Sequence, residues 1–309
     1  MKTEIQKEIE RLDHAGKGLL QSLVLSDELT VPGEHRKIKL LGAPGEGKGT
    51  LAKNVTPILR FGVMEGSGLI RRHLGSLPAD QRREVEAALS GNGKSTLAPD
   101  DVVLGFFDKE YGLIQAELRG DGAKIKGHLY DGLPRNGYQA QQLLKRGLKF
   151  DAVAHLQSDP YTPLIRQKQR AVEDLLETGK HRPDALKAEN RLMEYENNLP
   201  GLLGVLPNMT DRFFVLLTDD APLVTAYNFF VKASPQGDGL KPKHVESVSD
   251  QLRDIDKKRD DLSIKNLMEN SPHYHGVVKS QIEEFQSQIR TIEAQRQQYF
   301  VEACRASHH

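Results

Sequence analysis

The stretch Lys37–Thr50, KIKLLGAPGEGKGT, decides the fold. An apolar run of Ile38, Leu40 and Leu41 stops at Gly42. Gly45, Gly47, Lys48, Gly49 and Thr50 follow, and then the helix-compatible LAKNV. That order reads as strand, glycine-rich loop, helix. Gly42 through Lys48 fills the spacing G-x-x-x-x-G-K of a phosphate-binding loop. Glycine is needed because successive backbone N–H groups must converge on phosphate oxygens, in conformations that a side chain hinders. The helix behind the loop turns its positive end to the same anion. Lys48 adds a mobile cation and Thr50 a hydroxyl.

The chain has 309 residues, enough for one large domain with extensions and a sizeable core. Lys and Arg together number 43, as do Asp and Glu, so no excess of charge points to nucleic acid or an anionic membrane. Cys304 is the single cysteine, which excludes an internal disulfide framework and fits a reducing compartment. No apolar run approaches the roughly 20 residues of a membrane span. The N-terminal MKTEIQKEIERLD lacks the apolar region of a signal peptide. The expectation is a soluble cytoplasmic protein with no nucleic-acid or membrane partner.

Residues 1–36 read as an N-terminal helical extension, with Ile5, Ile9 and Leu12 at helical spacing and Pro32-Gly33 as a turn. From 37 to 233 short apolar runs alternate with helical segments, the pattern of an α/β domain. Strands are predicted at Ile38–Leu41, Phe61–Met64, Gly127–Asp131, Ala152–Gln157 and Phe213–Leu217. Helices are predicted at Gly49–Leu59, Gly68–Leu74, Ala79–Leu89, Asp100–Leu118, Tyr138–Lys145, Pro160–Leu176, Asp184–Asn198 and Pro222–Val231. The predicted fold is a parallel sheet with helices on both faces, its ligand at the C-terminal ends of the strands. A linker at 234–243 carries Pro235, Gly237, Gly239 and Pro242. Residues 244–309 then read as a helical hairpin broken at Ser271-Pro272. Val278, Ile282, Phe285, Ile289, Ile292 and Tyr299 fall near a/d heptad positions, as do Leu252, Ile255 and Leu262. The hairpin is expected either to pack back on the domain or to make a homo-oligomer.

A second signal is Tyr130–Gln139, YDGLPRNGYQ. Asp131 ends an apolar strand and so stands at the ligand edge of the sheet, where a carboxylate can hold Mg²⁺ directly or through water. Arg135 follows the Pro134 turn, and a planar guanidinium suits bidentate binding of phosphate. Further on, Arg166 and Arg170 are four residues apart and share one helix face.

GAPGEGKGT followed by DGLPR resembles the nucleoside monophosphate kinase family, and adenylate kinases most, over roughly residues 37–233. The resemblance implies a five-stranded parallel sheet with an NMP-binding segment, about 66–97, and a short lid, about 171–182. It implies Mg-dependent phosphoryl transfer from ATP to AMP. Gly42, Pro44, Gly45, Glu46, Gly47, Lys48, Gly49 and Thr50 would cradle the ATP phosphates. Asp131 would organise Mg²⁺ through water. Gly66–Arg72 is similar to the family's STGDxxR, so Ser67 and Gly68 would meet AMP and Arg72 its phosphate, while Leu69 stands in place of the family's aspartate. Leu97 opens LAPDDVV, similar to the family's LVPDEVV, whose backbone wraps the adenine. Gln139 matches the glutamine that reads the AMP base, its amide both donating and accepting. Arg166, Arg170, Arg182 and Arg191 match the lid arginines that clamp the transferring group, together with Lys48 and Arg135. The segment between Arg170 and Arg182 has no cysteine, which excludes a zinc-bearing lid. Glu46 is expected to point to solvent. A kinase for UMP or CMP, and a nucleotide-binding regulatory module without turnover, are the alternatives.

Overall fold

A computed structural model describes residues 4–24, 35–90, 98–118, 125–180, 188–218, 220–233 and 242–306. Five strands form one sheet: β1 (Arg36–Leu41), β2 (Phe61–Glu65), β3 (Gly127–Asp131), β4 (Ala152–Gln157) and β5 (Phe213–Leu217). All pair in parallel in the order β2-β3-β1-β4-β5. Parallel neighbours need crossovers, and helices supply them. They are α1 (Glu4–Val24), α2 (Lys48–Leu59), α3 (Gly66–His73), α4 (Ala79–Ser90), α5 (Asp100–Leu118), α6 (Gly137–Lys145), α7 (Thr162–Thr178), α8 (Ala188–Leu203), α9 (Pro222–Ala233), α10 (Pro242–Asn270) and α11 (Gly276–Ala306). From β1 the chain goes to one side of the sheet and from β3 to the other. The crevice at that reversal lies beyond the C-terminal ends of β1 and β3.

Alternation along the strands divides the core. Ile38, Leu40, Leu129, Ala152 and Ala154 face α2 and α9, where Val55, Phe229 and Phe230 meet them, with Leu20 of α1 and Leu252 of α10 behind. Leu41, Met64, Tyr130 and Val153 face Leu69, Phe106, Phe107, Leu143 and Leu202. Each fully buried side chain of this size is worth about 1.5–3 kcal/mol relative to exposure. The sheet is therefore covered on both sides, as the apolar strands predict.

The two C-terminal helices bury most of their apolar stripes against the domain, and Leu267 and Met268 near the end of α10 join Ile282 and Phe285 over α7. α10 packs on α1 and α9, and Asp256 accepts a hydrogen bond from the Leu223 N–H at 2.6 Å, closing an open donor in the first turn of α9. α11 packs on α7, with Ile282 and Phe285 against Ala171, Leu175 and Leu176. The bend falls at Ser271, whose hydroxyl donates to the Leu176 carbonyl. α7 runs to Thr178, past its predicted end, and stops at Gly179, whose φ of 68° suits a residue without Cβ. α8 is described from Ala188 and continues through Pro200 to Leu203, beyond the predicted Asn198. Most of the expected linker, 234–241, lies outside the described residues.

Candidate active site

The loop after β1 turns on three glycines in the left-hand half of backbone space, Gly42 (φ 152°), Gly45 (φ 96°) and Gly47 (φ 82°). At Gly45 a Cβ would collide with the Pro163 carbonyl oxygen, so the loop and the start of α7 close on each other only through glycine. Gln167 of α7 adds a hydrogen bond to the Pro44 carbonyl at 3.1 Å. Lys48 folds back over the loop, its ammonium donating to the carbonyls of Gly42 at 2.7 Å and Ala43 at 2.9 Å. Burial lowers its pKa, and the charges of Asp131 and Glu46 oppose that shift. At Gly49 an added Cβ would meet nothing within 4 Å, and Thr50 beside it is half-buried.

Glu46 departs from expectation. Its carboxylate is buried, not in solvent, and accepts from the Thr218 hydroxyl at 2.8 Å. Burial raises its pKa; hydrogen bonds from Thr218 and Ser158 and the charges of Arg166 and Lys48 pull the other way. Thr218, just past β5, also receives Arg166, whose Nη2 donates to its carbonyl and Nη1 to its hydroxyl at 3.5 Å. The Arg166 guanidinium comes within 3.8 Å of where a Gly47 Cβ would be. Glu46, Thr218 and Arg166 thus join the loop, the end of β5 and α7.

β3 ends at Asp131, opposite Leu40 of β1 and Glu65 of β2. Gly132 turns the chain at φ 69°, a cis bond joins Leu133 to Pro134, and the Arg135 Nε donates to the Gly132 carbonyl at 2.8 Å. Asn136 caps α6 by accepting from the Gln139 N–H at 2.8 Å. Gln139 is 1% exposed: its carbonyl accepts from the Arg135 N–H at 2.8 Å and its amide nitrogen donates to Asp100 at 2.7 Å. The amide expected to read a base is therefore engaged as a tie between this turn and the start of α5. One N–H and one lone pair remain on it.

Burial lowers the pKa of Arg135; the charge of Arg191 adds to the effect, while Asp131, Glu194 and Asp100 oppose it. Arg191 acts on Lys48 as well. Lys48, Asp131, Arg135 and Arg191 thus share one electrostatic neighbourhood at the end of the sheet. Across from them α3 begins, and a Cβ on Gly66 would come within 3.0 Å of the Arg135 guanidinium. Ser67 donates to Glu65 at 2.5 Å, and Gly68 is buried next to it. Arg72 pairs with Glu110 of α5 at 3.0 Å, and Arg71 pairs with Glu65 at 3.3 Å. Leu69 is fully buried in the core. Arg170 is exposed on α7. Leu97 and Arg182 lie outside the described residues, as does most of the lid exit.

Glu65, Asp100, Glu110 and Thr218 escaped the sequence reading. Asp100 could have been found, since it stands in LAPDDVV, a stretch already singled out. Thr218 carries no local signal. Among the described residues no group of three or more His, Cys, Asp and Glu side chains forms a metal cage. Asp131, at the end of β3, is a single carboxylate that could hold a hard cation through water.

A parallel five-stranded sheet, a phosphate loop after β1 and an acid-to-arginine turn after β3 define the fold class of the P-loop nucleoside monophosphate kinases. The chain is 34% identical over 145 residues to an adenylate kinase of Parvibaculum lavamentivorans, a stretch covering 44% of this chain and 63% of that protein. It is 32% identical over 142 residues to an adenylate kinase of Azorhizobium caulinodans, covering 44% and 66%. The chain thus spans a little under two thirds of the length of the relatives it matches. No family profile matches it. Among the described residues no helix is long and apolar enough to cross a membrane.

Proposed function

We propose that the chain is a Mg-dependent nucleoside monophosphate kinase that moves the terminal phosphoryl group of ATP to AMP. The observation that carries this reading is the shared electrostatic neighbourhood of Lys48, Asp131, Arg135 and Arg191 beyond the ends of β1 and β3. The similarity to adenylate kinases supports it. Lys48 leaves its loop carbonyls to hold the donor phosphates. Arg135 and Arg72 take the acceptor phosphate, Arg72 by exchanging its Glu110 partner. Arg191 and Arg166 cover the transferring group, with Arg170 and Arg182 joining on closure. Mg²⁺ supplies charge neutralisation along the donor phosphates, and Asp131 would hold it through water.

An AMP phosphate oxygen forms the new bond to the terminal phosphorus as the bond to the ADP leaving oxygen breaks. No general base is needed, because that oxygen is already ionised. Fixed cations stabilise the charge spread over the equatorial oxygens, and exclusion of water prevents hydrolysis. Loop, turn and arginines would act in a cytoplasmic, soluble enzyme. ADP formation from ATP and AMP under Mg²⁺, run against a panel including UMP and CMP, tests the reading. Folded protein that binds ATP and forms no nucleoside diphosphate from any acceptor would overturn it. The second reading, binding without turnover, draws on Leu69, whose burial leaves no acid at that position to order water near the metal.

A further inference from the structure

A charge lies under the phosphate loop where the strand pattern asks for an apolar side chain. Lys39 sits in the middle of β1, opposite Tyr130 of β3 and Val153 of β4, and is 2% exposed. Its neighbours Ile38, Leu40 and Leu41 are core. An ammonium has three donors. Among the described residues its hydrogen bond goes to the Tyr130 carbonyl at 3.5 Å, the outer limit of such a contact. The charges that act on it are Asp131, attractive, and Lys48 and Arg135, both repulsive. These are the carboxylate at the end of β3, the loop lysine and the turn arginine. Burial brings its pKa down to about 7.

Such a group is expensive in an empty site. It is desolvated, poorly bonded and set beneath two other cations, and a methionine of similar length would pack there without any of these costs. Nearby negative charge from a ligand would reverse the balance. A polyphosphate held by Lys48 and Arg135 brings several negative charges above the ammonium, at a range where a low-dielectric floor transmits them.

We propose that Lys39 is a further phosphate-recognising charge of this site, acting through the floor of the cleft rather than by contact, and that nucleotide phosphates bind with uptake of a proton. The proposal rests on the loop being a phosphate site and not on phosphoryl transfer. Lys39 is in this sense a positioning charge. The other ionisable groups around it are Tyr130, whose phenol burial pushes further up, and, beyond Lys48 and Arg135, Glu46, Asp100, Arg191 and Glu194. Burial shifts Lys48 downward and Glu46 upward as well, so the variant at position 39 is needed to assign the uptake.

The test is calorimetric titration of the full chain with ATP and with adenosine, in EDTA at pH 7.5, in two buffers of different ionisation enthalpy. Wild type and Lys39→Met are compared. Wild type is expected to take up a fraction of a proton with ATP and none with adenosine. Lys39→Met is expected to bind ATP roughly tenfold more weakly, to lose the uptake, and to bind adenosine as wild type does. Equal ATP affinity in the two proteins overturns the proposal. So does a parallel loss of adenosine, which would mean a merely structural lysine. Absence of uptake in wild type overturns it without any variant. Tight ATP binding with the Lys39 effect and no ADP formation would sink the kinase reading and leave this one standing.

Discussion

On the side proposed above for the acceptor nucleotide, the turn after β3 is tied down at moderate range, within its own turn and to α5 36 to 39 residues earlier. Asn136 and Gln139 cap and brace it, and both reach Asp100 at the head of α5. On the side proposed for the donor nucleotide, α7 is held from far away. Arg296 donates to Asp159 at 2.9 Å across 137 residues, Lys168 meets Gln288 at 2.7 Å, and Tyr161 packs edge-on to Tyr299. Asp159 in turn accepts from the Tyr161 and Thr162 N–H groups at 2.9 and 3.1 Å, opening α7. The first network closes once α5 meets the turn. The long-range strut is in place only once α11 has docked. The acceptor arm is thus set by neighbouring elements, while alignment of Arg166 and Arg170 depends on the C-terminal helix.

The largest effect expected comes from trying to repair the acceptor arm. Leu69→Asp would put back the acid that the resemblance implies. The side chain is fully buried among Met64, Phe106 and Leu133, so the carboxylate would be buried unpaired. A loss of about 4 kcal/mol or more in urea unfolding is expected, with no gain of activity. A stable and faster Leu69→Asp protein would show that α3 is far looser than its packing implies. Next comes Arg135→Ala, in the turn after β3. It should lower kcat/KM about a thousandfold while leaving the far-UV CD spectrum and the melting temperature close to wild type.

The comparison itself is tested by paired variants. Arg296→Ala removes the strut and leaves Asp159, 4% exposed in its side chain, without that charge partner. The KM for ATP should rise about threefold to tenfold, and that for AMP should not change. Asp100→Ala removes the tie between the turn and α5 and should do the reverse. Because the two networks share no residue, the double variant should show the sum of the two losses within about 0.5 kcal/mol. Strong coupling between them would mean that the arms are one mechanical unit.

A smaller effect separates the floor of the cleft from both arms. Lys39 has a folded-state pKa of about 7 against an ordinary value of 10.5. Between these values the unfolded chain binds more protons than the folded one, so stability of the ligand-free protein rises with pH across that window. Below about pH 7 the full cost of burying the ammonium is present. The slope from this one group is at most about 1.4 kcal/mol per pH unit. Lys39→Met should flatten it, read from urea midpoints between pH 7 and 9.5. An unchanged slope would assign it to another group.

The five strands were legible because each is a short apolar run between turn residues, and the phosphate loop because its spacing is rigid. Lys39 was not. A charged residue between Ile38 and Leu40 looks like the solvent side of a strand, and only the packing of helices on both faces makes it buried. Gln139 was found by its place in a motif, but that its amide pairs with Asp100 of LAPDDVV is a matter of three-dimensional proximity. Glu46 faces Thr218 for the same reason. Of the heptad stripes of α10 and α11, Leu252, Ile282 and Phe285 are buried, while Tyr299 is 40% exposed. What they bury against, α1 and α9 for one and α7 for the other, is a matter of long-range docking that periodicity does not encode.

The smallest effect belongs to the outer face of α10, and it bounds the comparison from outside. Lys258 and Asp254 lie one turn apart at 2.6 Å, and both side chains are 61% exposed. An exposed pair of this kind is worth a few tenths of a kcal/mol, because water and salt screen it and two long side chains must be ordered. Lys258→Ala should therefore change stability by less than about 0.5 kcal/mol and leave both KM values alone. The opposite face of the helix behaves otherwise, since Arg259, 16% exposed in its side chain, pairs at 2.6 Å with buried Asp256, the group that caps α9. Arg259→Ala should cost several times more, with the loss felt as fraying of α9 against β5. If the two variants cost the same, the outer face of α10 is not a solvent face in solution. α10 would then be braced by one more contact than the chain alone provides.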